Sequence, residues 1–87
     1  MPTSLHSPQY EIFRRLIVQA RRDAGLTQTE VALRLRKPQS FISKLERGER
    51  RIDVPEFVEI AEAMGIDAAM FINTYTQEKN DRQTRLP

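Results

Sequence analysis

Apolar residues recur every three or four positions along most of the chain, which is the spacing of one face of an α-helix. The first run follows Ser7-Pro8, a cap residue with proline at the first helical position, and predicts a helix from about Pro8 to Ala24. Four later runs predict four more helices, and no strand pattern competes with them. Their inner faces are Val31, Ala32 and Leu35; Ile42 and Leu45; Phe57, Ile60, Ala61 and Met64; and Met70, Phe71 and Tyr75.

Residues that favour helix ends mark the boundaries of these helices. Thr27 stands three residues before Glu30, and Asp53 three residues before Glu56, as in the capping box at a helix start. Glycine follows three of the runs as a helix terminator, at Gly25, Gly48 and Gly65. We therefore expect an all-α chain of five helices.

Proline separates the second and third helices. The stretch Arg36-Lys37-Pro38 interrupts the apolar pattern, because proline disfavours helical geometry in the residue before it. Two short helices, from Gln28 to about Leu35 and from about Gln39 to Arg47, are thereby joined by a tight turn. This is the spacing of a helix-turn-helix, in which the second helix enters the major groove of DNA.

The charge is divided unevenly between the two parts of the chain. Residues 1–51 carry eleven of the 14 Lys and Arg and have a net charge of +6, whereas residues 52–87 have a net charge of −4. A basic half suits a polyanion such as DNA. Solvated helix faces that happen to be basic would give the same composition, so charge alone leaves both interpretations open.

Length and composition limit the other functions that the chain can have. With 87 residues we expect one domain, made of a flexible arm (1–7), a helical domain (8–76) and a polar tail (77–87). The absence of cysteine excludes disulfides and thiolate metal sites. The single histidine, His6, falls in the arm, and no catalytic grouping is recognisable. We therefore expect no enzyme activity, metal, cofactor or small-molecule ligand.

The same composition bears on where the protein is found. No apolar run approaches the length of a membrane span, and the first eight residues lack the regions of a secretory signal. We expect a cytoplasmic protein that has no membrane contact and associates with the nucleoid when it is bound to DNA.

Three segments of the sequence resemble the lambda-repressor-like, xenobiotic-response-element-type DNA-binding family. They are LTQTEVA (26–32), QSFISKLERG (39–48) and AEAMGID (61–67), and the resemblance covers about residues 10–72. It implies a five-helix fold with the third helix as the recognition helix, and a partly buried ion pair between Arg21 and Glu46. Two positions depart from the family pattern: Arg36 stands where glycine is usual, and Pro38 where a Ser or Thr cap is frequent.

The resemblance also implies which residues touch DNA. Base contacts are expected at Gln39, Ser40 and Lys44, with Ser43 secondary, and phosphate contacts at Thr27, Gln28, Arg47, Arg50 and Arg51. Glutamine can pair with adenine and lysine can donate to guanine. Alternatively, the base-contact residues form only the solvent face of an amphipathic helix. Phe41 either packs on the second helix or meets a thymine methyl group.

The last helix carries more apolar residues than one inner stripe requires, namely Met70, Phe71, Ile72 and Tyr75. They predict a homodimer interface, unless all four merely cap the core of the monomer. The expected function is therefore that of a small bacterial or phage repressor, which binds a palindromic operator in double-stranded DNA as a dimer. The alternatives are an antitoxin, a restriction–modification controller, or a protein-interaction module that has lost DNA binding.

Overall fold

The helices of the protein follow the predicted order. The computed structural model describes residues 7–85, and side chains through residue 81. Within this range the chain forms five α-helices and no strand, so the predicted all-α class is confirmed. The helices are α1 (Pro8–Asp23), α2 (Gln28–Leu35), α3 (Gln39–Glu46), α4 (Val54–Met64) and α5 (Ala68–Arg85). Except for Ser7, the predicted arm lies outside the described residues.

Local side-chain caps fix where α2 and α4 begin. The Glu30 amide donates to the Thr27 hydroxyl at 3.0 Å, and the Thr27 amide donates to the Glu30 carboxylate at 2.8 Å. Asp53 and Glu56 make the same reciprocal pair of hydrogen bonds at the start of α4. Both predicted capping boxes are present, and a cap of this kind stabilises a helix by about 1 kcal/mol.

One apolar core joins all five helices. Its three largest fully buried side chains are Val31 of α2, Leu45 of α3 and Ile60 of α4. Helix α2 packs on α3 and α4, and α1 packs on α3 and α5. This arrangement buries the inner face of α3 and leaves its outer face free, which positions the candidate site described below.

An aromatic cluster attaches α5 to the rest of the protein. The Phe13 ring lies 5.3 Å from Phe57, 5.6 Å from Phe71 and 6.0 Å from Tyr75, measured between ring centroids. Phe71 is therefore a core residue of the monomer, as one of the two interpretations of the sequence held, and Tyr75 packs in the same cluster. Of the four residues expected at a dimer contact, Met70 and Ile72 remain exposed, at 67% and 42%.

Helix α5 is longer than the sequence predicted. It continues to Arg85, whereas the sequence predicted a polar tail from residue 77 onward. Residues 77–85 contain no glycine or proline, and Gln, Glu, Lys and Arg are all good helix formers. Their polarity removes them from the core without ending the helix. No helix within residues 7–85 is long and apolar enough to cross a membrane.

Candidate nucleic-acid interface

The turn between α2 and α3 keeps a left-handed residue although it lacks glycine there. Arg36 has φ 58° and ψ 41°, and it is the one non-glycine residue with positive φ in the described part of the chain. The next amide, that of Lys37, donates to the Ala32 carbonyl at 3.0 Å and closes the turn. The strain of a left-handed arginine, about 1–2 kcal/mol, is thus offset by the hydrogen bonds that it permits.

Proline starts α3 without a side-chain cap. Pro38 is extended, with φ −67° and ψ 152°, and it makes no capping hydrogen bond. Because its ring fixes φ, it still holds the chain in the geometry that precedes a helix. Helix α3 begins at Gln39 as predicted, so the departure from the family pattern at Pro38 leaves the start of this helix in place.

The outer face of α3 presents the residues predicted to read bases. We call this surface the reading face and define it as Gln39, Ser40, Ser43 and Lys44, together with the C-cap residue Arg47, which was predicted to contact phosphate. All are exposed except the half-buried Ser43. The opposite side of the helix is buried in the core. The reading face carries no acidic side chain, because the one glutamate of α3 is turned inward.

A chain of hydrogen bonds connects the reading face to the interior. The Gln39 amide donates to the side chain of Gln28 at 2.7 Å, and Gln28 donates to Glu46 at 2.8 Å. Glu46 in turn accepts from Arg21. The first residue of α3 is therefore oriented by contacts that run through α2 into the protein.

Arg21 and Glu46 form the ion pair that the family resemblance implied. Two hydrogen bonds join the guanidinium to the carboxylate, at 2.6 and 3.0 Å, and the side chains are only 13% and 7% exposed. Arg21 also donates to the Leu26 carbonyl at 2.8 Å, and Arg14 donates to the Glu46 carbonyl. The pair joins α1 to α3 and neutralises the buried charge of α3.

The arginine that follows the last residue of α3 is exposed and forms an ion pair with a nearby glutamate. Arg47 and Glu49 lie 2.9 Å apart and are 55% and 53% exposed. Their hydrogen bond raises the pKa of Arg47 and lowers the pKa of Glu49. An exposed pair of this kind is weak, so Arg47 can exchange Glu49 for a phosphate at little cost.

Arg50 is held more firmly beside the reading face. It forms an ion pair with Glu56 at 2.9 Å, and this contact lowers the pKa of Glu56. The Arg50 guanidinium lies 4.7 Å from the centre of the Phe41 ring, and the Lys37 ammonium 5.0 Å from the same centre. Phe41 packs against the core, and both cations make cation–π contacts with its ring. These contacts place positive charge along this flank of α3.

The Arg51 side chain makes its contacts within the protein. Its guanidinium lies 4.4 Å from the centre of the Tyr10 ring and donates to the Ser7 hydroxyl at 3.1 Å. Its Nε is buried and has no hydrogen-bond partner among the described residues. Of the three arginines expected at phosphates, Arg47 is thus the most accessible and Arg51 the most engaged.

A second basic surface lies on the other flank of α3, against α1. A cleft of about 500 Å³ runs between α1 and the end of α3. We call it the α1 cleft. It is lined by Arg14, Arg15, Val18, Gln19, Arg22, Gln28, Glu46 and Arg47.

Comparison with known proteins decides the family. The Helix-turn-helix family model matches residues 17–71. The structure of an XRE-family like protein from Pseudomonas syringae pv. tomato str. DC3000 is 40% identical, with a TM-score of 0.77 over 80% of this chain and 85% of that one. The chain belongs to the XRE family of helix-turn-helix proteins. The predicted family and fold are thereby confirmed.

Two further relatives are similar to this XRE-family chain. An uncharacterized HTH-type transcriptional regulator, y4dJ of Sinorhizobium fredii, is 46% identical over 46 residues, which are 53% of this chain and 60% of that protein. The restriction–modification controller protein C.Esp1396I, solved as a tetramer with its natural 35-base-pair operator, is 20% identical with a TM-score of 0.77. That match covers 84% of this chain and 96% of the controller, and it shows a shared fold.

The XRE-family fold also places two arginines that the sequence did not single out beside the predicted site residues. Arg15 and Arg22 line the α1 cleft beside Gln28. Their separation of seven residues puts them on one face of α1, a signal that was available in the sequence. Nothing in the sequence showed that this face adjoins the recognition helix.

Proposed function

We propose that the protein binds double-stranded DNA in a sequence-specific manner and regulates transcription, acting as a dimeric repressor on a palindromic operator. The observation that carries this proposal is the reading face. It presents hydrogen-bonding side chains and positive charge on a free helix surface, with Lys37 and Arg50 on one flank. Such a surface suits the base edges of a major groove bordered by phosphates.

The contacts divide into two kinds. On the reading face, Gln39 and Lys44 read bases and the two serines adapt to either donor or acceptor. Thr27 and Gln28 at the start of α2, together with Arg47, Arg50 and Arg51, hold phosphates and fix the register of α3. Thr27, Arg50 and Arg51 are held by partners within the protein, whereas Arg47 has only an exposed, weak pair with Glu49, so their contribution is smaller than that of Arg47.

The relatives support a regulatory role. One is described as a transcriptional regulator, and another was solved on its operator. A repressor of this size acts by occupancy, since covering an operator excludes RNA polymerase. The same mechanism would serve a restriction–modification controller or an antitoxin. A module that had lost DNA binding would not need to keep the exposed Lys44 side chain without a hydrogen bond or ion pair to the residues from 7 to 81.

DNA binding is expected to weaken steeply as salt rises. With about five to eight phosphates neutralised, the logarithm of the binding constant should fall with the logarithm of salt concentration with a slope of roughly −4 to −7. Fluorescence anisotropy on a random-sequence duplex and on a duplex selected by the protein measures this slope. A slope near zero on both duplexes would contradict the proposal.

A dimer is proposed because one helix-turn-helix reads only a few base pairs. Two copies related by a twofold axis place their recognition helices about 34 Å apart, one turn of DNA. The exposed apolar side chains of α5, Met70 and Ile72, are the candidate contacts. Met70 also borders an open groove of about 750 Å³ between α1 and α5, with Leu16 and Ala20 on the facing wall.

Replacing Met70 and Ile72 together with Asp is expected to convert a dimer into a monomer and to lower operator affinity. Both side chains are exposed, so the fold should survive, and buried acids would oppose the interface. Analytical ultracentrifugation at micromolar concentration gives the mass. The matched control is Leu33→Asp with Val54→Asp, which changes the two other large exposed apolar residues of the described chain. If both double variants stay dimeric, α5 is not the interface.

A further inference from the structure

We propose that α1 supplies a phosphate-binding site outside the helix-turn-helix. In this site Arg15 and Arg22, together with Arg47, hold a phosphodiester group of the DNA backbone in the α1 cleft. The inference rests on the proposed function and extends it to a helix that the helix-turn-helix unit does not include.

The spacing of the α1 side chains builds one wall of the cleft. Arg15, Val18, Gln19 and Arg22 are separated by three, four and seven residues, so they share one face of the helix. Arg15 and Arg22 are exposed, and Val18 is half-buried between them. The opposite wall is formed by Gln28 and Arg47.

The charge of the cleft is positive and unbalanced. Four arginines line it, and its one acidic side chain, Glu46, is already paired with Arg21. Arg14 forms an ion pair with Glu11, and Arg47 forms one with Glu49. Arg15 and Arg22 make no side-chain hydrogen bond or ion pair with any residue from 7 to 81. Two free guanidinium groups beside a hydrogen-bonding amide form a site for a tetrahedral oxyanion.

The position of the cleft identifies the anion as DNA backbone. Gln28 lines the cleft and contacts Gln39, the first residue of the reading face, while Arg47 ends that face. Lys37 and Arg50 lie on the opposite flank of α3. The reading face therefore has cations on both sides, and the major groove has a phosphate strand on both sides. The α1 cleft meets one strand, and the Lys37–Arg50 flank meets the other.

The test is the double substitution Arg15→Gln with Arg22→Gln. It should make the slope of log binding constant against log salt less steep by about 1, because one phosphate contact is lost and each removes about one unit. Binding should weaken by the same factor on selected and random duplexes. The control, Lys79→Gln with Arg82→Gln, removes the same charge from α5 and should leave the slope unchanged. Circular dichroism checks that both variants fold.

The outcomes separate the two proposals. If the wild-type protein does not bind DNA, the proposed function fails and takes this inference with it. If the wild type binds DNA but the α1 variant keeps the slope of the α5 control, only the α1 site is overturned. Calorimetry with inorganic phosphate alone completes the test. Saturable phosphate binding that the α1 variant loses, without a change in the DNA salt slope, would assign the cleft to a free anion instead.

Discussion

The substitution Glu46→Ala is expected to lower the free energy of unfolding by about 3–5 kcal/mol, the range measured when one partner of a buried ion pair is removed. It would leave the Arg21 guanidinium almost fully buried without its counter-charge, and it would also strip the amide of Gln28 of an acceptor. Urea unfolding followed by circular dichroism measures the loss. In an 87-residue domain this is a large share of total stability.

Two control variants test whether the loss of stability at Glu46 arises from the burial of its ion pair. Glu49→Ala breaks the exposed pair with Arg47 and should cost only a small fraction of the loss at Glu46. The double variant Arg21→Met with Glu46→Leu removes both charges and should recover part of the stability, because no charge is then stranded. Equal losses for Glu46→Ala and Glu49→Ala would refute the structural role given to the buried pair.

Lys44→Ala is expected to cost about 1–3 kcal/mol of binding free energy on the selected operator and much less on random DNA, because a base contact carries discrimination and a phosphate contact does not. The Lys44 side chain is exposed on the reading face and makes no hydrogen bond or ion pair within residues 7–81. Gln39→Ala should behave alike. Anisotropy titrations on an operator recovered by selection from random sequence, and on its scrambled version, measure the difference.

The comparison with a phosphate contact completes this experiment. Arg47→Ala should weaken the selected and scrambled duplexes by similar factors, since Arg47 is assigned to the backbone. Ser40→Ala should cost less than either base-contact variant, because one hydroxyl discriminates poorly. If Gln39→Ala and Lys44→Ala both keep full preference for the operator, α3 is not the recognition helix.

The helix starts were predictable because their causes are local. Thr27 with Glu30 and Asp53 with Glu56 set the starts of α2 and α4 within four residues of sequence, and both were predicted correctly. The end of α5 was not predicted correctly, because a polar sequence without glycine or proline does not indicate where the helix stops. The length of α5 depends on helix propensity, which cannot be inferred from the spacing of apolar residues.

The sequence predicted which residues are exposed around α3, but not how the candidate site residues pair with other parts of the protein. Arg51 was assigned to phosphate from the family resemblance, yet it lies on Tyr10, 41 residues earlier, and its engagement depends on tertiary structure. The burial of Phe71 against Phe13 and Phe57 has the same cause. The sequence identified apolar and basic residues, and only the packing of α1 and α5 decided which of them remain accessible.

The hydrogen-bond chain from Gln39 to Arg21 gives the positions of the reading face unequal freedom to evolve. Ser40 and Lys44 have no side-chain hydrogen bond or ion pair within residues 7–81. Under the proposed function, a new side chain at either position would change the preferred operator without disturbing the fold. Gln39 is tied through Gln28 to the buried Glu46. A lineage that diverges to new operators would therefore vary first at Ser40 and Lys44, and would retain Gln39 until Gln28 changes with it.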